Sequence, residues 1–459
     1  VIDTFLKEFT CYRIFYPILS YDESGDRMYK SKFIRSTIIL MIGGLITKIL
    51  GMLIKIVMTR LIGTEGIGIY MLMNPTFMLL IALAQLGFPI AISTLVAKER
   101  NDHKNLVFSI LPISLILNLI ILIGLFFGAS YLSTELLHEP RCFYGIIAIG
   151  FVLPFISISS ILRGYFFGKQ RMVPHVVSNI TEDIVRLVIL AIGIPVFLVK
   201  GIEYAVAFII LSNIASELTS ILVLFFFLPK NFTISKQDFK PKKKNIKEIL
   251  SISLPATGSR LIGNIGSFFE PILLTYVLLK IGYSNSFIVN QYGILNGYVL
   301  PLLLLPSFFS MAISQALIPV VSRNYEKKRY TYTKTKIRQA IGFSLLIGIP
   351  ITILFCLFPE IFLHLIYHTN QGIDYLRVLA PIFILHYIQA PLTSTLQATG
   401  KAKTAMMGTL QGMILRTIIL FGASYLHIGM WGLVIAMASN VIYVTLHQYV
   451  SVRKMFRSA

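Results

Sequence analysis

Lys48 and Lys55 stand seven residues apart in an otherwise apolar stretch, so a helix there carries both ammonium groups on one face. Arg260 occupies the corresponding place in a second apolar stretch, where Ser259-Arg260-Leu261-Ile262-Gly263 echoes Thr47-Lys48-Ile49-Leu50-Gly51. Glu270 follows on the same segment, with Asn264 and Ser267 in between. An ionised side chain in a bilayer costs about 2.5–3.5 kcal/mol on insertion scales, so it is expected to face a cavity or a partner. Three cations against one acid leave a positive surplus, and in a poorly hydrated pocket Coulomb attraction is weakly screened. The chemistry this set supports is the binding of an anion, phosphate above all, to which arginine presents a two-pronged fork. The structural alternative is that Lys55 snorkels outward and that Arg260 pairs with Glu270 to hold a kink near Pro271. Asn264 either hydrogen-bonds a substrate or ties helices together.

Four further charges sit within apolar segments. Glu182 and Arg186 are four residues apart, a spacing that usually braces a single helix. Arg163, beside Gly164, reads as an anchor at the membrane surface. Glu217 reads as a lone acid that either takes up a proton or a sodium ion or is satisfied by a neighbouring helix. His364 and His368 share a face if their helix continues past Pro359, but without a third ligand they are not expected to hold metal. Cys11, Cys142 and Cys356 are too scattered for a disulfide framework or a zinc site. The chain lacks G-x-x-x-x-G-K-S/T, H-E-x-x-H and G-x-S-x-G. Neither an enzyme nor a cofactor is expected.

The elements that must position these charges are membrane spans. The residues are 56% hydrophobic and 13% charged, with mean hydropathy +0.77, far from a soluble chain. Stretches of roughly 20 apolar residues place helices near 36–61, 67–96, 106–131, 142–162, 176–198, 203–228, 247–279, 291–321, 339–359, 376–397, 404–426 and 429–451. Basic residues crowd alternate connections: Lys98 to Lys104, Arg163 to Arg171, Lys230 to Lys247, Arg323 to Arg338, and Lys401 with Lys403. By the positive-inside rule those loops and both termini are cytoplasmic, in the cytoplasmic membrane. The net charge of +21 is thereby explained by topology, with attraction to anionic lipids as a second effect. Nucleic acid is not an expected partner, since no basic stretch is interleaved with aromatics on a folded platform. Residues 1–32 read as a cytoplasmic tail. Their first part grows polar through Asp22, Glu23 and Asp26 up to Met28 and has no small-residue cleavage site. The alternatives are a disordered tail and an extension upstream of a start at Met28.

The echo around Lys48 and Arg260 is one of several in common order. Tyr70-Met71-Leu72-Met73-Asn74 matches Tyr292-Gly293-Ile294-Leu295-Asn296, and Ala91-Ile92-Ser93 matches Ala312-Ile313-Ser314. Gly168-Lys169 matches Gly400-Lys401, with Arg186 and Arg416 at similar distances downstream. Duplication of an even number of spans keeps the halves parallel. The expected fold is thus an all-α integral membrane protein of about twelve transmembrane helices, in two parallel six-helix halves around a central cavity. The halves are 33–228 and 247–459, joined by a basic linker at 229–246, and the substrate belongs between them near the midplane.

The run Leu162-Arg163-Gly164-Tyr165-Phe166-Phe167-Gly168-Lys169-Gln170-Arg171-Met172, with Pro174, Glu182 and Arg186 beyond it, resembles the stage V sporulation protein B family. So do Ser253-Leu254-Pro255-Ala256-Thr257-Gly258-Ser259-Arg260, Phe268-Phe269-Glu270-Pro271 and Gly63-Thr64-Glu65-Gly66-Ile67-Gly68-Ile69-Tyr70. The resemblance implies the multidrug/oligosaccharidyl-lipid/polysaccharide exporter superfamily. It also implies flipping of a lipid-linked, polyprenyl-pyrophosphate-type saccharide for spore cortex peptidoglycan, with cortex-synthesis membrane enzymes as partners. Relatives commonly carry two further C-terminal helices, and the lipid II flippase branch usually has an Arg in the eighth helix where this chain reads Gly293-Ile294-Leu295. Two other readings remain: a cation-coupled multidrug exporter of the same superfamily, whose site should be acidic and aromatic, and a non-transporting scaffold for cortex-synthesis enzymes.

Overall fold

The computed structural model describes residues 27–97, 103–169, 171–228 and 243–457. Residues 1–26 and 229–242, on which the tail reading and most of the linker reading rest, lie outside them. The described residues form helices and turns with no strand. In order the helices are α1 Arg27–Gln85, α2 Phe88–Val96, α3 His103–Phe108, α4 Ile110–Tyr131, α5 Phe143–Gly168, α6 Met172–Leu198, α7 Ile202–Phe226 and α8 Lys243–Lys280. They continue as α9 Asn285–Gly293, α10 Leu300–Leu304, α11 Ser307–Glu326, α12 Tyr330–Leu357, α13 Pro359–Tyr367, α14 Ile373–Ala398, α15 Ala402–Ser424 and α16 Trp431–Arg457. A π-turn, Ile294–Val299, joins α9 to α10.

Among the described residues ten helical segments are long and apolar enough to cross a membrane. They account for the twelve expected spans once two features are added. First, α1 breaks at Gly63, whose φ of 67° lies where only glycine sits without steric cost. Its first arm, 27–62, covers the first expected span; its second, 64–85, covers the expected 67–96 only with α2, which follows a further break at Leu86 and Gly87. Second, α6 falls outside the ten because Glu182, Asp183 and Arg186 interrupt its apolar run. At 27 residues it is about 40 Å long and so reaches across a bilayer. The expected eighth span is built from α9, the π-turn, α10 and α11 in succession.

Packing follows the chain in two groups. Helices α5, α6 and α7 pack on one another, with α1 against α6 and with α2 and α4 against α5. Helices α11, α12 and α14 form a second set, completed by α15 and α16. Helix α8 lies against α1, α2 and α15, while α9 and the π-turn lie against α1, so these two elements join the groups. Buried apolar side chains such as Ile67, Leu72, Leu295 and Tyr387 form a shared core. On the periphery Phe127, Val199 and Phe226 are more than four-fifths exposed. Apolar surface of that kind is at ease only in lipid, and the all-helical build satisfies backbone hydrogen bonds there.

Candidate functional site

The cations come first. Arg260 on α8 is exposed, and its Nη1 donates to Gln85 Oε1 on α1 at 3.0 Å. Asn264, one turn along, donates from Nδ2 to the Met78 carbonyl of the same arm at 3.2 Å. Lys48 is exposed on the first arm of α1, and no described residue pairs with it. Lys55 is half-buried, and its Nζ donates to the Asn296 carbonyl at 3.0 Å. That carbonyl belongs to the π-turn, where the regular i→i−4 ladder is interrupted and an acceptor is left over. Lys55 is thus tied across to the second group of helices and does not snorkel outward. Among the described residues these cations share no common partner.

Glu270 departs from the structural alternative. Its Oε2 lies 2.6 Å from Arg416 Nη2 on α15, and the Tyr292 hydroxyl bonds the same carboxylate. Arg260 therefore does not neutralise Glu270; Arg416 does. The sequence marked Arg416 only as the repeat mate of Arg186, although an arginine inside an apolar span was itself the signal.

The acids of the first group are also placed differently from expectation. Glu182 pairs with Arg163 of α5, not with Arg186 one turn away. The same Arg163 Nη2 donates to Ser220 Oγ at 2.7 Å and lies 3.6 Å from Glu217 Oε2. Ser159 donates to that Glu217 oxygen. Glu217 is accordingly buried with partners and is not alone, and Arg163 is a bundle residue joining α5, α6 and α7 instead of a surface anchor. Asp183 and Arg186 stand beside this cluster. Counted with these two neighbours, it holds three carboxyls and two guanidinium groups.

At the end of the bundle far from the basic 323–338 segment, two arginines close the structure. Arg141 bridges Glu65 and the buried Glu139. Asn285 of α9 donates to Glu139 Oε2 at 3.0 Å. Arg60 donates to the Ile366 and Leu365 carbonyls of α13, each at 2.8 Å. His364 and His368 face each other with ring centroids 5.8 Å apart, and no cluster of three metal-ligating side chains occurs among the described residues.

The chain as a whole has counterparts among known proteins. A family model described as Polysaccharide biosynthesis protein matches residues 33–325, and one described as MatE matches 296–421. Stage V sporulation protein B of Bacillus subtilis is 39% identical over 440 residues, covering 93% of this chain and 85% of the relative. The chain belongs to the polysaccharide biosynthesis protein family. It is also similar to Lipid II flippase MurJ of Bacillus subtilis at 22% identity, over 85% of this chain and 77% of the relative. A solved structure titled as the inward-facing conformation of a multidrug resistance MATE family transporter of the MOP superfamily shares its fold. That match has TM-score 0.73 and 19% identity over 90% of this chain and 95% of the other. A MOP superfamily transporter from Pyrococcus furiosus matches with TM-score 0.60 and 18% identity over 93% and 96%. This member of the polysaccharide biosynthesis protein family is a multi-pass membrane transporter, and family and fold both point away from an enzyme.

Proposed function

We propose that this chain flips a lipid-linked saccharide of the polyprenyl-pyrophosphate type, a peptidoglycan precursor for the spore cortex, across the cytoplasmic membrane by alternating access. The observation that carries the reading is the pair Lys48 and Arg260. Both stand open at corresponding places on α1 and α8, and the acid that would have cancelled Arg260 is held instead by Arg416. A pyrophosphate meets two cations that no carboxylate among the described residues neutralises, with Asn264 as an added donor and Lys55 deeper in the same arm. A cationic drug would be repelled by that surface. The duplicated halves, 33–228 and 247–459, move against each other about the fixed site. Both termini and the basic loops face the cytoplasm, where Arg323, Lys327, Lys328 and Arg329 attract anionic lipids. The names of the relatives support a saccharide cargo and a sporulation setting.

The test is reconstitution in liposomes with a fluorescent lipid-linked precursor, reading loss of inner-leaflet label. Wild-type protein is expected to deplete it, and Arg260→Ala to abolish the depletion. Full activity after neutral replacement of both Arg260 and Lys48 would overturn the reading and favour a scaffold.

A further inference from the structure

A cavity of about 280 Å³ opens at the far end of the second group of helices, and none of the cations discussed above lines it. Its walls are Gln291 of α9, Gln371 and Gly372 ahead of α14, Asp374 and Tyr375 of the first turn of α14, and Trp431 at the start of α16. The buried Ile294 lies at its base, on the π-turn. Two features of the chain build it. Gly372 has φ 90°, which a side-chain-bearing residue adopts only under strain. A Cβ there would also stand 2.8 Å from methyl carbons of both Ile294 and Val299. The bare backbone therefore lets the loop settle on the π-turn and bring Asp374 and Tyr375 up to Gln291.

The lining has a definite chemical character. Tyr375 and Trp431 meet edge to face, with ring centroids 5.0 Å apart, and form an apolar corner. The Tyr375 hydroxyl donates to Gln291 Oε1 at 2.7 Å, so the oxygen of that amide is taken and its NH₂ group remains a donor. Asp374 and Gln371 add acceptors and a further donor. Apolar ring surface beside mixed donors and acceptors complements a pyranose, whose C–H face packs on aromatic rings while its hydroxyl and amide groups hydrogen-bond. The only ionisable wall residue apart from the tyrosine is the carboxylate of Asp374, which disfavours the phosphate end of a ligand. Five residues along from Gln291, about 7 Å by helical rise, the Asn296 carbonyl holds Lys55.

We propose that this cavity is a saccharide subsite that receives the sugar of the transported lipid-linked substrate at the far, outward end; in naming that substrate it rests on the flippase reading. The fold separates the two ends of one ligand. Cations on α1 and α8 take the pyrophosphate, and the aromatic, cation-free cavity takes the glycan.

Trp431 is the one tryptophan of the chain, so its fluorescence reports this cavity alone. Purified full-length protein titrated with N,N′-diacetylchitobiose is expected to show a saturable fluorescence change. Gln291→Ala and the shape-preserving Asp374→Asn, each eluting and folding like wild type, should weaken it roughly three- to tenfold, the worth of one hydrogen bond. Pyrophosphate alone should leave the fluorescence unchanged. No saturable change, an equal change with pyrophosphate, or undiminished binding in both variants would overturn the subsite. In the liposome assay the same variants should slow flipping. Normal flipping with lost sugar binding would overturn the link to the transported substrate and assign the cavity to finished glycan. If wild-type protein binds the sugar but flips nothing, the flippase reading fails while the saccharide site stands.

Discussion

Among the charges within the spans, the decisive distinction is between those that are paired and those that are open. Arg416 and Glu270 satisfy one another across α15 and α8, with Tyr292 as a third member. Breaking such a pair leaves a buried charge uncompensated, at a cost of about 3–5 kcal/mol. Arg416→Ala should therefore lower the amount of folded protein and its thermal midpoint, and adding Glu270→Gln should restore most of the loss. A thermal melt of the two variants in detergent decides this; equal destabilisation in both would show that the pair is not what holds α15. Arg260 behaves in the opposite way. Arg260→Ala and Lys48→Ala should each keep wild-type levels of inserted protein yet lose about 1.5–3 kcal/mol of phosphate binding, one to two decades in affinity. Arg260→Lys should recover only part, because the charge returns without the fork. Adding Glu270→Ala to Arg260→Ala should not rescue transport, since Glu270 is not the partner of Arg260.

Interruptions in the helices place these residues. The π-turn Ile294–Val299 gives Lys55 its carbonyl, and its first residue floors the cavity beneath Tyr375 and Trp431. The break at Gly63 brings Arg60 to the start of one arm's end and Glu65 to the next, so that both enter the far-end closure. That closure joins the two groups of helices through Asn285 to Glu139 and through Arg60 to α13. Asn285→Ala removes one of these links while leaving Glu139 its arginine. A cysteine at Thr64, in a background lacking the native cysteines, should then react roughly fivefold faster with a membrane-impermeant maleimide, about the worth of one hydrogen bond. An unchanged labelling rate would show that the Asn285 link does not hold this end shut.

For the molecule as a whole, the distribution of charge sets the orientation. If the basic connections are cytoplasmic, Lys243→Cys should resist an impermeant thiol reagent in intact cells and react after the membrane is opened. Thr369→Cys, in the loop between α13 and α14 at the opposite end, should react without opening. External labelling at position 243 would reverse the topology. At the end away from the basic connections, Arg141 holds Glu139 and Arg60 holds the last turn of α13.

Hydropathy and charge determined, without coordinates, that this is a membrane protein, roughly where its helices run and which residues are costly enough to need a reason. A bilayer imposes those constraints residue by residue, so they are written locally. The sequence echoes were read from the same kind of local pattern, and they pair Lys48 with Arg260. Pairing was not legible. Whether Glu270 meets Arg260 on its own helix or Arg416 on α15, and whether Glu182 meets Arg186 or Arg163, depends on which helix faces are pressed together. Close-packed side chains on distant segments decide that, and no spacing along the chain encodes it. The cavity around Trp431 is the clearest instance. Its walls come from three separate stretches, ordinary in sequence, that only the seating of a bare glycine against a π-turn brings together.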